Sequence, residues 1–195
     1  TATGTLLLKE MLYKSKDLPA DVNVNSMLLR FSPQNLTLEA LDAKMGKSDF
    51  QMNGAIDNYL AYALKDETLK GDFTFTSNNL DLDELMGTTS TATTTSTTDS
   101  TVVEDSEPVL IPGNIDFQLK TNLKTVKYNG IVIKNIIGTV KLKDEVASLD
   151  NLTMEAMGGT VGLDGDFSTV DHDKPKVNFS YDLKNIDIKE LADNF

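Results

Sequence analysis

The sequence predicts a mainly β protein: antiparallel, curved sheet or sheets from two repeated strand-rich units, each ending in a short helix. Three observations carry this reading. Apolar and polar residues alternate with a period of two over much of the chain, as half-buried strands require. Short motifs recur in the same order on either side of a Thr-rich stretch, and glycines punctuate the runs at turn-like places.

Taken in order, residues 1–17 read as an N-terminal helical segment, because Thr5 to Lys16 has the spacing of a short amphipathic helix. The first β unit spans 18–87. Within it Leu36 and Leu38 alternate, then the phase slips to Leu41, Ala43 and Met45, as a β-bulge would require, so this strand should bend. The unit closes on NLDLDEL (Asn79 to Leu85), where Asp81 and Glu84 match a capping box. Residues 88–108, almost all Thr and Ser in their first part, have too little to bury to offset the entropy of ordering and read as a flexible linker. The second, longer β unit spans 109–195. Alternation is clear in Asp116 to Leu119, Lys127 to Ile133, Thr139 to Leu142 and Lys176 to Leu183, and the unit closes on NIDIKEL (Asn185 to Leu191) with Asp187 and Glu190 as a second capping box. Gly46, Gly54, Gly130, Gly138, Gly158, Gly159 and Gly165 mark the turns and close approaches.

The repeat rests on named anchors. NLTLEAL (Asn35 to Leu41) recurs as NLTMEAM (Asn151 to Met157), and Met52-Asn53-Gly54 answers Leu163-Asp164-Gly165 after a spacing difference of five residues. Phe73-Thr74-Phe75 answers Phe179-Ser180-Tyr181, and Asn79 to Leu85 answers Asn185 to Leu191, both displaced by 106. Before Asn35 the match fades, and the stretch from Tyr128 to Leu142 is expected to be an addition that the first unit shortens or lacks.

Composition removes several function classes. The 195 residues, 39% hydrophobic, suffice for a core. A formal charge of −12, with 18 Lys and Arg scattered among 30 Asp and Glu, excludes nucleic-acid binding and a polybasic surface for anionic headgroups, while leaving contact with acyl chains open. There is no Cys, hence no thiol chemistry or disulfide. No apolar run approaches the roughly 20 residues of a membrane-spanning helix, and no targeting signal is recognisable, so the chain reads as an excised fragment.

No catalytic, cofactor or metal site is expected. His172, the only histidine, sits in the hydrophilic turn Asp171 to Pro175, with no second His to share a metal. Asp164, Asp166, Asp171 and Asp173 lack the spacing of a calcium loop, Gly158-Gly159 lacks that of a phosphate-binding loop, and no nucleophile elbow occurs. What remains is the apolar face. Alternation places Phe117, Leu119, Ile131, Ile133, Val140, Leu142, Phe179 and Tyr181 on it, and reads equally as a covered core or as an open groove for lipid tails or a partner's hydrophobic segment.

The order of these features resembles the AsmA-like family of Gram-negative envelope proteins. The C-terminal region of that family is matched by Pro112-Gly113-Asn114-Ile115-Asp116-Phe117, Tyr128-Asn129-Gly130, Gly138-Thr139-Val140, Leu149-Asp150-Asn151-Leu152, Met157-Gly158-Gly159, Gly165 and Asn185-Ile186-Asp187-Ile188. The preceding unit is matched by Lys44 to Phe50, Gly54, Leu69-Lys70-Gly71 and Ser77 to Met86. The resemblance implies a periplasmic, non-catalytic module of a protein anchored in the inner membrane outside this chain, acting in outer-membrane biogenesis, with relatives among the repeating β-groove lipid-transfer proteins. Phospholipid acyl chains and outer-membrane assembly proteins are the implied partners. A scaffold that assists outer-membrane protein assembly is the alternative role, and a hydrolase would require carboxylates gathered around His172. Asp99-Ser100-Thr101 also resembles the O-glycosylation acceptor of Bacteroidota-type bacteria, which makes Ser100 a candidate modification site.

Overall fold

The computed structural model describes residues 2–16, 18–86 and 110–187. The expected linker over 88–108, Ser100 and the second closing helix with Glu190 lie outside the described residues. Of the described residues 67% are strand, in one curved, open, mostly antiparallel sheet with two short helices among them. In chain order the elements are β1 (Gly4–Tyr13), β2 (Val22–Phe31), β3 (Asn35–Met45), β4 (Ser48–Asp57), α1 (Tyr59–Lys65), β5 (Leu69–Ser77), β6 (Leu80–Asp81), α2 (Leu82–Leu85), β7 (Ile115–Tyr128), β8 (Ile131–Lys143), β9 (Val146–Ala156), β10 (Gly159–Ser168) and β11 (Lys176–Lys184).

Strands β1 to β5 and β7 to β11 are two antiparallel meanders, joined where β5 lies parallel to β7; the two-residue β6 also pairs with β7. Two-residue turns join β3 to β4, β7 to β8, β8 to β9 and β9 to β10. Asn129 and Gly130 both take positive φ between β7 and β8, the backbone that matches the right-handed twist of the flanking strands and that Asn-Gly adopts readily.

Two sequence readings need correction. Residues 4–13 are strand β1 and not helix. Leu6, Leu7 and Leu8 face Leu29, Leu28 and Met27 across β2, and a short helix lacking such partners is marginal in water. The stretch expected to be shortened or absent in the first unit is β8, of thirteen residues, and the shorter β2, of ten, precedes β3 as β8 precedes β9. The alternation from Lys127 to Ile133, read as one strand, is broken by the Asn129-Gly130 turn and belongs to two. Helix α1, which alternation did not signal, is a seven-residue connection held where the Tyr59 hydroxyl donates to the Ser32 carbonyl at 2.7 Å.

The bulge expected in β3 is present, with register slipping between Leu38 and Leu41 against β4. The recurring motifs do not all hold equal places. Asn35 to Leu41 ends within β3, whereas Met157 lies in the β9–β10 turn. The glycine and aromatic anchors do share a register: Gly54 pairs with Phe73 and Met52 with Phe75, as Gly165 pairs with Phe179 and Leu163 with Tyr181.

Candidate functional site

Because alternate side chains leave a strand on opposite faces, the pairings trace rows across the sheet. One row runs Leu6, Leu29, Leu38, Gly54, Phe73, Leu119, Val140, Leu149, Gly165, Phe179. The next runs Gly4, Phe31, Leu36, Ile56, Gly71, Phe117, Leu142, Ala147, Phe167, Val177. On the other side of the first lie Leu8, Met27, Leu41, Met52, Phe75, Thr121 and Gly138. The first two rows contain no polar side chain. At about 4.8 Å per strand such a row is roughly 43 Å long.

The opposite face is polar and carries ion pairs: Lys120 with Asp72 at 3.4 Å, Lys141 with Asp150 at 2.6 Å, Lys143 with Asp116 at 3.0 Å, and Arg30 with Glu39. The hydrogen bond from Lys143 to Asp116 raises the lysine's pKa, but the pair is solvent-exposed and holds little of the fold together.

The apolar face is covered at one end. There the chain leaves β5, forms β6 and folds into α2, laying Leu80, Leu82 and Leu85 over Phe50, Phe75, Leu123, Val126, Ile133 and Ile136. Val126 is only 3% exposed. Leu123 and Val126 are three residues apart yet share this cluster, as do Ile133 and Ile136. The pair Lys124 and Asn135 drops out of the β7–β8 ladder, and Asn135 takes φ 51°, so the alternation changes phase there. The Asp81 carboxylate caps α2 by accepting from the Glu84 N–H at 3.0 Å. The second half of the expected capping box is replaced: Glu84 reaches the β3–β4 turn and accepts from the Lys47 N–H at 2.8 Å. Asp83 accepts from the N–H groups of Asn129 and Gly130 in the β7–β8 turn. The cover is thus pinned to two hairpins.

Beside it, Asp49 holds the chain as it leaves β5, accepting from the N–H groups of Asn78 and Asn79 and from the Ser77 hydroxyl. Burial alone would raise its pKa, and these donors together bring it below the usual carboxylate value.

Away from the cover, Met52, Phe73, Phe117, Leu119, Val140 and Leu142 line a cavity of about 270 Å³ with almost no polar surface. All of these side chains are half-buried. The Phe73 and Phe117 rings meet edge to face at 6.4 Å. The floor is shallow where a ring lies over a glycine: a Cβ on Gly71 would fall 2.5 Å from the Phe117 ring, and one on Gly165 would overlap that of Phe179.

The structure therefore divides the residues proposed from sequence. Phe117, Leu119, Val140 and Leu142 come together in the trough. Ile133 lies in the covered cluster, and Ile131 stands opposite Tyr128 beside the turn. Phe179 and Tyr181 are on β11, 46% and 63% exposed, with ring centroids 6.2 Å apart. Met52 and Phe73 also line the trough; both stood in the recurring motifs, where alternation could have marked them. His172 has Nε2 3.2 Å from Glu145 in the turn after β10, and Asp164 and Asp166 accept from the Asn151 N–H and the Asn178 amide. Among the described residues no group of His, Asp and Glu is placed to hold a metal, and no helix is long and apolar enough to cross a membrane. Comparison of the chain with family models, curated proteins and solved structures finds no match.

Proposed function

We propose that this chain is a non-catalytic, periplasmic module of an AsmA-like envelope protein, contacting or conducting phospholipid acyl chains along the apolar face of its sheet during outer-membrane biogenesis. The observation that carries the reading is the pair of wholly apolar rows spanning ten strands, which lie clear of the cluster that β6 and α2 cover. Exposed apolar surface costs about 25 cal/mol per Å², so an apolar occupant lying on the rows is favoured without any specific polar contact. The net charge of −12 supports recognition of tails and not of anionic headgroups. A scaffold assisting outer-membrane protein assembly is the second reading, favoured by β11, whose residues are all exposed and able to pair with a partner strand.

Native mass spectrometry of the protein after incubation with phosphatidylethanolamine vesicles tests the first reading. The expected result is a mass increment of one or more phospholipids, lost in a Leu119→Asp, Val140→Asp variant that keeps its β-type circular dichroism. Absence of bound lipid, or equal binding by the folded variant, would contradict it.

A further inference from the structure

The two meanders correspond strand by strand. The β1–β2 ladder skips Glu10 and Asn25, with Glu10 at φ 52°, as β7–β8 skips Lys124 and Asn135. Two register shifts interrupt β2–β3 and two interrupt β8–β9. The β4–β5 register of glycine and aromatic residues is repeated in β10–β11. By this correspondence β11 is the counterpart of β5, and β1 is the counterpart of β7.

The outer edge of β5 carries β7 in parallel over nine residue pairs, from Leu69 with Ile115 to Ser77 with Leu123. Among the described residues nothing pairs with the outer edge of β11, and Val177, Phe179, Tyr181 and Leu183 are exposed along it. An unpaired strand edge of this kind is a template for another strand. Because the ten-strand path contains a single parallel step, β1 and β11 run in the same direction. A second copy placed alongside without being turned over presents its β1 to β11 in the sense in which β7 meets β5.

We propose that the chain associates head to tail, β1 of one copy adding in parallel to β11 of the next, so that the β5–β7 junction is reproduced between molecules and the apolar rows run on from copy to copy. The register follows from the correspondence. Leu6 leads through Leu29, Leu38 and Gly54 to Phe73 as Leu119 leads through Val140, Leu149 and Gly165 to Phe179, so Leu6 answers Leu119. Leu119 pairs with Phe73, whose counterpart is Phe179, and Leu6 therefore stands opposite Phe179. The contact joins two different edges, so it does not close on itself and yields a series of oligomers. A single strand pair is a small interface, so the association is weak and concentration-dependent. None of this depends on what the trough holds.

The chain has no Cys, so engineered thiols report alone. Folded Leu6→Cys and Phe179→Cys chains are oxidised separately and as a mixture, and the unsubstituted protein is followed by sedimentation velocity. The expected result is about tenfold more disulfide-linked dimer in the mixture than in either variant alone, since paired strands bring Cα atoms within disulfide range, together with a sedimentation coefficient that rises with concentration. A monomer at every concentration overturns the proposal. So does a Phe179→Cys chain that dimerises by itself as well as the mixture does, because that outcome places β11 against β11.

Discussion

The two ends of the apolar face are made of the same strands and the same kinds of side chain, yet one is a core and the other a trough. Leu119 and Leu123 are four residues apart in β7. Leu123 lies beneath Leu80 and beside Val126, while Leu119 looks across at Val140 and Phe73 with an open cavity above it. What separates them is the short segment Leu80–Leu85, held by Asp81, Asp83 and Glu84 to the helix start and two hairpin turns. Burial here is decided by where a few covering residues are tied, and not by the hydrophobicity of the sheet.

That contrast can be broken by substitution. The largest effect is expected for Leu123→Ala, which leaves a cavity in the covered cluster and should cost about 2–4 kcal/mol, read by urea unfolding. Leu119→Ala should cost less than half as much in the same experiment, because its side chain already faces an opening. Equal losses would mean that both ends are core. Next in size is Asp81→Ala, which removes the α2 cap and should cost about 1 kcal/mol while increasing the fluorescence of a bound apolar dye as the cover loosens. Gly71→Ala should cost less still, but it lifts the Phe117 ring into the trough, so dye binding there should fall.

The smallest effect concerns Asp49. Its pKa in the folded protein is lowered, so its contribution to stability is fully present above the ordinary carboxylate range and is lost as pH falls through the folded value. Asp49→Asn should therefore be less stable than the parent at neutral pH, and the gap should close in acid. Paired unfolding curves at neutral and strongly acidic pH measure this, and a gap independent of pH would remove the assigned role.

Much of this was legible in the residues. Alternation at Phe117 and Leu119, and at Val140 and Leu142, placed four side chains on one face, and the slip from Leu38 to Leu41 marked a real bulge. Other parts depend on partners distant in the chain. Leu6-Leu7-Leu8 has no period of two, and only β2 reveals it as a strand. Ile133 matched the alternation of its neighbours, but the phase change at Asn135 sends it under the cover. Nothing in Asn79 to Leu85 announced which apolar residues it would lie on, because its anchors, Lys47, Asn129 and Gly130, belong to turns 32 or more residues away in sequence.

The most direct test of an open trough beside a closed core compares two positions in one strand. A photoreactive amino acid is placed at Leu119 in one sample and at Val126 in another, and each is irradiated with radiolabelled phospholipid. Labelling at 119 and none at 126 is the predicted result. Labelling at neither position, or at both alike, would contradict the account.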